Sequence, residues 1–251
     1  MSLLTTARDL RRRKARERDA RFVVEGVRAV EDLLRSPLEI AGLLAAPKLI
    51  DSPRGTALLA AARGRGIEVV EVGEKAFRSA AETESPQGVL AIARIPSRSF
   101  ADVAGRATLR LLVLDAVQDP GNVGTIIRTA AALGADATVA LPGTVDVWNA
   151  KVVRSAMGAH FVHPAFASSW EELEAFLASS ATPLWAADRG GEPAPSSSPP
   201  RLALAVGNEG SGLTPHVRAA AARIVSLPIS AAVESLNVAV AAGILLHELR
   251  P

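Results

Sequence analysis

Leu111-Leu-Val-Leu114, followed closely by Asp119-Pro-Gly-Asn-Val-Gly-Thr-Ile-Ile-Arg128, is the stretch of this sequence that decides the fold. The aliphatic run predicts a buried strand, and Asp119-Pro-Gly121 predicts a turn. Asn122 can cap the helix that follows the turn. A strand that is apolar at every position and leads into a helix is typical of a parallel sheet covered by helices on both faces.

The same alternation of strand and helix holds for the rest of the C-terminal part of the chain. Apolar runs predict strands at 109–114, 137–141, 161–166, 184–187, 202–206 and 224–227. Helical spacing predicts helices near 123–133, 147–157, 170–177, 215–221 and 236–249. We therefore predict an α/β domain at 107–251 with a mostly parallel sheet.

The N-terminal part of the chain predicts a separate, smaller α/β domain at 1–95. A helical pattern at 6–19 precedes the apolar run Phe22-Val-Val24, and further strand and helix patterns alternate up to residue 95. Small and polar residues without periodicity at 96–106 predict a linker between the two domains. A second proline- and serine-rich stretch, 189–200, predicts a loop within the C-terminal domain.

Composition narrows the class of protein. The 251 residues are 49% hydrophobic, no apolar run is long enough to span a membrane, and the charged N-terminus lacks a signal core. Cysteine is absent, which excludes disulfides, zinc–thiolate sites and cysteine nucleophiles and is compatible with a reducing cytosol. His160 and His163 lack a third ligand, so no metal site is predicted. We expect a cytoplasmic protein that binds neither membranes nor metals.

Charge is distributed unevenly along the chain. Residues 1–28 contain nine Lys or Arg and four Asp or Glu, although the net charge of the whole chain is +2. This basic segment indicates a polyanionic partner, or else a solvated helix face; charge alone leaves both open. The same two readings apply to Lys151 and Arg154 on a later helix.

Two further segments place glycine, asparagine and charged residues just after apolar strands, where α/β sheets bind ligands. They are Gly207-Asn-Glu-Gly-Ser-Gly-Leu213 and Leu227-Pro-Ile-Ser-Ala-Ala-Val-Glu-Ser-Leu-Asn237. A simple turn and an ordinary capped C-terminal helix are the alternative readings, with Ser235 or Glu234 as the cap. Glu209 would repel phosphate, which favours a partner such as Arg128 or a ligand amine or hydroxyl.

Taken together and in this order, the three segments resemble the signature motifs of the SpoU (TrmH-type) RNA ribose 2′-O-methyltransferases, over residues 110–250. Asn122, Gly124 and Arg128 match the first motif. Gly207, Glu209 and Gly212 match the second motif. Pro228 and Ser235-Leu-Asn237 match the third, although Ile229-Ser-Ala231 stands where family members often have Met-x-Gly. Phe22-Val-Val-Glu-Gly26 is similar to the opening of the L30e-like substrate-binding domain that often precedes the SpoU domain.

The resemblance implies a fold, a reaction and a set of site residues. The fold is a SPOUT domain with a deep trefoil knot near its C-terminal end, and the assembly is a homodimer. The enzyme is an S-adenosylmethionine-dependent methyltransferase acting on a ribose in structured RNA, with 23S ribosomal RNA favoured. The implied catalytic residues are Asn122, Arg128, Glu209, Ser235 and Asn237. The implied cofactor-binding residues are Gly207, Leu227, Ile229, Leu236 and Asn237. The candidate RNA-binding residues are Arg11, Arg12, Arg13, Lys14, Arg128 and Arg154.

Three alternatives remain open from the sequence. Transfer RNA is the alternative substrate. A non-catalytic RNA-binding protein could keep the same fold, and a different enzyme could use the glycine loop for a nucleotide cofactor. A guanidinium stays protonated at neutral pH, so Arg128 is poorly suited to serve as a general base. We therefore expect it to bind a phosphate and to stabilise the developing alkoxide.

Overall fold

The protein, seen in a computed structural model that describes residues 1–250, divides into two compact units. The N-terminal unit comprises Met1–Ser97 and Trp148–Val162. The C-terminal unit comprises Arg98–Val147 and the described residues from His163 onward. The segment 148–162 therefore packs with the N-terminal unit, whereas the sequence division at 107 assigns it to the C-terminal domain.

The N-terminal unit is built on a four-stranded sheet. Its strands are β1 (Arg21–Glu25), β2 (Ile40–Ala45), β3 (Val69–Glu71) and β4 (Val89–Arg94). Their spatial order is β1-β4-β2-β3. β2 and β3 are parallel, and the other two pairs are antiparallel. Its helices are α1 (Leu3–Asp9), α2 (Arg13–Asp19), α3 (Val27–Arg35), α4 (Pro47–Ile50), α5 (Pro53–Gly64), α6 (Glu74–Arg78) and, from the inserted segment, α8 (Ala150–Ser155).

Aromatic packing explains why the segment 148–162 belongs to this unit. The ring of Phe22, which is fully buried, lies 4.6 Å from the ring of Trp148 and 6.4 Å from that of Phe161. The predicted strand at 161–166 is correspondingly wrong: Ala159–Phe161 forms a 3₁₀ turn, and the strand that follows starts only at Ala165. The buried Phe161 packs in the core of the N-terminal unit and does not belong to a strand of the C-terminal sheet.

The C-terminal unit contains a six-stranded, fully parallel sheet flanked by helices. Its strands are β5 (Leu109–Leu114), β6 (Ala137–Ala140), β7 (Ala165–Ala167), β8 (Leu184–Pro193), β9 (Arg201–Val206) and β10 (Arg223–Ser226). Their spatial order is β10-β8-β9-β5-β6-β7. Its helices are α7 (Pro120–Ala132), α9 (Trp170–Ser179), α10 (Pro215–Ala220) and α11 (Val238–Glu248). The predicted α/β class and parallel sheet are confirmed.

The core of this unit lies around the central strands, and it includes part of the predicted linker. Every residue of β5 is buried. Within 96–106, Val103 is 1% exposed, and the ring of Phe100 stacks on that of Phe176 at a centroid distance of 4.5 Å. Part of this stretch is thus packed against the sheet domain.

Two other local predictions are wrong for identifiable physical reasons. The single predicted helix at 6–19 is broken between α1 and α2, where the buried Arg16 guanidinium donates to the carbonyls of Leu10 (2.7 Å) and Arg11 (3.0 Å). The predicted loop at 189–200 is strand up to Pro193, because Gly191 allows β8 to lie against the backbone of β10. Within residues 1–250, none of the helices has the length and apolarity needed to cross a bilayer.

Candidate active site

Hydrogen bonds between side chains join the three motif segments in the C-terminal unit. The Nδ2 atom of Asn122 donates to Oε1 of Glu209 at 3.0 Å. The Nδ2 atom of Asn237 donates to Oδ1 of Asn122 at 2.9 Å. The first, second and third segments thus each contribute one residue to a continuous polar chain. A carboxylate can only accept, so the contact with Glu209 fixes the amide orientation of Asn122 and leaves its oxygen for Asn237.

The start of α7 explains how Asn122 comes to face Glu209. Asp119 is the N-cap, and its side chain accepts from the backbone N–H of Asn122 at 2.8 Å. The prediction of Asn122 as the cap is therefore wrong by three positions, and its own amide is left for the contact with Glu209. Pro120 occupies the first turn, where a missing N–H has no cost. Along the same helix, Gly124 is buried and Arg128 is exposed.

Glu209 is held as an ionised acceptor. Besides Asn122, it accepts from the backbone N–H groups of Gln118 at 3.2 Å and Asp119 at 3.1 Å. Partial burial raises the pKa of this carboxyl, but the hydrogen bonds from Asn122 and the backbone outweigh that effect, so its pKa lies below the ordinary value for Glu. The sequence suggested either Arg128 or a ligand group as the partner of Glu209. In the structure its carboxylate accepts from one side-chain amide and two peptide N–H groups, and not from Arg128.

The glycine loop is shaped by contacts within itself. Asn208 and Gly212 exchange two backbone hydrogen bonds, of 2.9 and 3.0 Å. A Cβ on Gly207 would lie 2.4 Å from the carbonyl carbon of Gly212, and Gly212 has a φ of +71°. These two glycines are thus required for closing the turn. Gly210 has no such constraint, since its Cβ would meet only Asn208 Oδ1 at 3.6 Å.

The third segment, residues 227–237, connects β10 to α11 without regular secondary structure. Asn237 is the N-cap of α11, because its Oδ1 accepts from the N–H groups of Ala239 (2.9 Å) and Val240 (3.3 Å). The predicted caps Ser235 and Glu234 are therefore wrong. The Asn237 side chain both starts the helix and reaches Asn122. Ser235 and Leu236 lie on the exposed part of the segment, and Leu227 and Ile229 are half-buried.

Three residues that help to build this site were missed from the sequence. Asn208 donates to the carbonyl of Ala116 at 2.9 Å, which ties the glycine loop to the chain after β5. Asp115 is 2% exposed and accepts from the N–H of Thr214. Arg189 donates to the carbonyl of Glu234 at 2.7 Å. Two of these residues could have been found from the sequence, because Asn208 lies inside the glycine motif and Asp115 follows a buried strand. No feature of the sequence pointed to Arg189.

The residues of this site fit S-adenosylmethionine better than a phosphate-bearing cofactor. The apolar side chains of Leu227, Ile229 and Leu236 can pack against an adenosine, and the neighbouring peptide groups can bond its edges. Glu209 places a negative charge here, which suits a sulfonium cation and disfavours NAD or ATP. These residues are therefore consistent with S-adenosylmethionine, the cofactor predicted from the sequence.

The candidate RNA-binding residues of the N-terminal unit have different environments. Arg12 is ion-paired with Asp9, and Arg13 with Glu17 at 2.7 Å. Arg11 and Lys14 are exposed and form no ion pair within the described residues. Arg154 lines a cleft of about 290 Å³ whose walls include Arg28, Gln87 and Met157.

The two histidines considered as metal ligands, His160 and His163, each contact another side chain. No group of three potential ligands for a metal occurs among residues 1–250. The side chain of His163 lies 2.9 Å from the hydroxyl of Thr138, and burial lowers its pKa to about 4. The ring of His160 packs edge-on against Trp148, at a centroid distance of 4.5 Å.

Comparison with known families accounts for both units. The model of the SpoU rRNA methylase family matches residues 110–247. The chain belongs to the SpoU rRNA methylase family. The model of the MRM3-like substrate binding domain matches residues 4–91 of this SpoU protein. The predicted family and the predicted enzyme class, an S-adenosylmethionine-dependent RNA ribose methyltransferase, are thereby confirmed.

Individual relatives extend the likeness over nearly the whole chain. The 23S rRNA (guanosine(2553)-2′-O)-methyltransferase RlmP of Bacillus subtilis is 36% identical over 245 residues, covering 96% of this chain and 93% of the relative. Human mitochondrial rRNA methyltransferase 3 is 31% identical over 172 residues, covering 66% of this chain and 39% of the relative. The SpoU methyltransferase AviRb of Streptomyces viridochromogenes, solved in complex with AdoMet, has a TM-score of 0.87 and 26% identity, covering 99% of this chain and 96% of that one.

Proposed function

We propose that this SpoU protein transfers a methyl group from S-adenosylmethionine to the 2′-oxygen of one ribose in 23S ribosomal RNA. The observation that carries the proposal is the hydrogen-bonded set Glu209–Asn122–Asn237, which unites the three family motifs at one place. The substrate follows the B. subtilis relative, which is named as a 23S rRNA 2′-O-methyltransferase and aligns with 96% of this chain.

The cofactor, when bound, supplies a methyl group already activated on a sulfonium, so the protein has to align the reactants and help the hydroxyl lose its proton. We assign its binding to the backbone of the glycine loop, starting at Gly207, and to Leu227, Ile229 and Leu236. Glu209, ionised at neutral pH because its pKa is lowered, provides the opposite charge to the sulfonium.

Arg128 is the residue we assign to the ribose. A hydroxyl is a poor nucleophile at neutral pH. A guanidinium lowers the cost of the developing oxyanion without itself accepting the proton, which passes to solvent water as the methyl group leaves the sulfonium. Its planar fork can also bind the neighbouring phosphate. Asn122 and Glu209 hold the first turn of α7, the helix that carries Arg128. Ser235 adds a hydroxyl on the adjoining segment.

The N-terminal unit supplies the remaining affinity for RNA in this proposal. Arg11, Lys14, Arg28 and Arg154 are exposed cations without an ion pair among the described residues, and are therefore available to phosphates. Arg12 and Arg13 would have to exchange their acidic partners for phosphate, so we expect them to contribute less. Neutralised phosphates release counterions, so binding should weaken steeply with salt.

We further propose that the protein is a homodimer and that its C-terminal end forms the trefoil knot of the family. Val240 and Ile244 are exposed by 50% and 38% and lie four residues apart, so they form an apolar stripe on one face of α11. A second copy would cover that stripe. The hydrogen bond from Asn237 to Asn122 supports the proposed knot, because it brings the chain after β10 back to the start of α7.

The test of the proposed function is a map of ribose methylation in ribosomal RNA, compared between a strain that has the protein and one that lacks it. We expect one 2′-O-methylated nucleotide to disappear from 23S RNA and to return when the purified protein and S-adenosylmethionine are added to that RNA. Loss of a transfer RNA methylation instead would favour the alternative substrate. No change in either RNA would favour a non-catalytic binding protein.

A further inference from the structure

The third segment, residues 227–237, depends on very few contacts for its position. All of its residues from 231 to 237 are exposed. Its C-terminal end is held by Asn237, and Val233 and Ala232 bond only to Ser230 within the segment. Arg189 reaches the middle of the segment from outside it, because its Nη1 donates to the Glu234 carbonyl at 2.7 Å.

Arg189 is presented to the segment by an irregular part of β8. Ile224 of β10 pairs with Ala186, but the next residue, Val225, pairs with Glu192, so residues 187–191 of β8 have no partner in β10. Gly191 anchors the end of this bulge: a Cβ there would lie 2.7 Å from the Ile224 carbonyl. A hydrogen bond of 2.9 Å from Ser226 Oγ to the Gly191 carbonyl fastens the same point to the end of β10.

The neighbours of Arg189 leave its guanidinium available for the segment. Asp188, the nearest acid in sequence, already accepts from the guanidinium of Arg218 and from the N–H of Gly190. Arg189 forms no ion pair within the described chain, whereas Arg106, Arg218 and Arg223 of the same unit do. A guanidinium that donates to a peptide carbonyl makes a charge-assisted bond, stronger than one between neutral groups.

We propose that Arg189 is a positioning residue for the cofactor: it holds residues 227–237 in the conformation that binds S-adenosylmethionine. This inference rests on the proposed function, because the segment carries the assigned contacts Leu227, Ile229 and Leu236. Glu234 lies between Ile229 and Leu236, so release of its carbonyl displaces these side chains from the adenosine. Arg189 acts through the segment and does not touch the cofactor itself.

The test compares R189A, R189K and the control R223Q by calorimetric titration with S-adenosylhomocysteine and with methylthioadenosine, which lacks the amino-acid end. Arg223 is a suitable control because it lies on the same strand pair but bonds Glu192 at 2.9 Å, away from the segment. We expect R189A to weaken both ligands equally, by about tenfold, the scale of one hydrogen bond to a charged group. R189K should be intermediate, since an ammonium can still donate to the carbonyl, and R223Q should bind like the wild type.

Two further measurements separate positioning from a general loss of structure. Amide hydrogen exchange should accelerate at residues 230–236 of R189A while the protection of the sheet is unchanged. In methylation assays, KM for S-adenosylmethionine should rise with the loss of affinity, whereas kcat at saturating cofactor should stay within about twofold.

Specific results would overturn the proposal. Unchanged affinity of R189A would show that the segment does not need this bond. A loss for S-adenosylhomocysteine but not for methylthioadenosine would assign Arg189 to a direct contact with the amino-acid end. If the wild-type protein bound neither ligand, the proposed function would fail, and the exchange rates at 230–236 would still decide whether Arg189 holds the segment.

Discussion

At the scale of single residues, the site depends on side chains that each form hydrogen bonds with two different partners. Asn237 caps α11 with its oxygen and reaches Asn122 with its nitrogen. Asn122 continues the chain to Glu209, which in turn accepts from the backbone ahead of α7. Loss of one member therefore leaves its neighbour with an unpaired polar group, which costs more than the bond itself contributes.

Arg128 gives the most direct prediction about catalysis. We expect Arg128→Ala to lower the single-turnover rate of methylation by about 10²–10³-fold, the effect of removing one oxyanion donor. Arg128→Lys should recover only part of the rate, because it keeps the charge but loses the planar fork. Rates would be measured with saturating RNA and cofactor, and the affinity for S-adenosylhomocysteine serves as the control. A near-normal rate for the alanine variant would contradict the assigned role.

Glu209 gives a prediction about pH and stability. Its pKa is lowered in the folded protein, so its contribution is fully present above the ordinary pKa of Glu and is lost as pH falls through the lowered value. We expect Glu209→Gln to reduce the free energy of unfolding at neutral pH by about 1 kcal/mol, with the difference from wild type vanishing in acid. Urea titrations between neutral and acidic pH would measure it.

The exposed Glu174 of α9 provides a control, since Glu174→Gln makes the same chemical change on the surface and should leave the free energy of unfolding at neutral pH within about 0.5 kcal/mol of wild type. A difference between wild type and Glu209→Gln that persists unchanged into acid would mean that charge at this position does not stabilise the fold.

At the scale of elements, the glycine loop is the feature whose shape is most tightly constrained. We expect Gly207→Ala to weaken binding of S-adenosylhomocysteine at least tenfold and to lower stability by about 1–3 kcal/mol, because the new Cβ overlaps the backbone of Gly212. Gly210→Ala is the matched control, since its Cβ makes only an ordinary contact with Asn208. Calorimetry and thermal unfolding of both variants would check this, and equal behaviour of the two would be inconsistent with the loop geometry.

The elements also show what the sequence could and could not predict. β5 and β9 were predictable because they are buried at nearly every position, and an uninterrupted aliphatic run in the sequence indicates such a strand. The cap residues were misassigned by two or three positions because Asn122 and Asn237 are shared with distant partners. The break after α1 depends on where the Arg16 side chain lies, and the bulge in β8 depends on contact between Gly191 and β10. The first depends on the conformation of one side chain, and the second joins two strands that are distant in sequence, so local apolar patterns record neither.

At the scale of the whole molecule, the segment 148–162 was the least predictable part. Its sequence reads as a helix of the sheet domain, and only the contacts of Trp148 and Phe161 with Phe22 assign it to the N-terminal unit. The motif residues, by contrast, were found because the family resemblance supplied them; periodicity alone would have left a glycine turn and a capped helix. The cytoplasmic location stays a prediction.

The apolar stripe on α11 gives a prediction about assembly. We expect the double variant Val240→Glu, Ile244→Glu to sediment as a monomer, because two carboxylates would be buried unpaired in the proposed interface. Val162 is 66% exposed in the N-terminal unit, so Val162→Glu is the control and should leave the wild-type mass unchanged. A wild-type protein that is already monomeric at micromolar concentration would contradict the proposed homodimer.

The central claim, methyl transfer to a ribose hydroxyl, is tested most directly by a single atom of the substrate. Once the target nucleotide in 23S RNA is mapped, a transcript can be prepared with 2′-deoxyribose at that nucleotide alone and incubated with the protein and methyl-labelled S-adenosylmethionine. We expect one methyl group per molecule on the all-ribose transcript and none on the deoxy-substituted one. Equal labelling of the two transcripts would place the methyl group elsewhere and contradict methylation of the ribose hydroxyl.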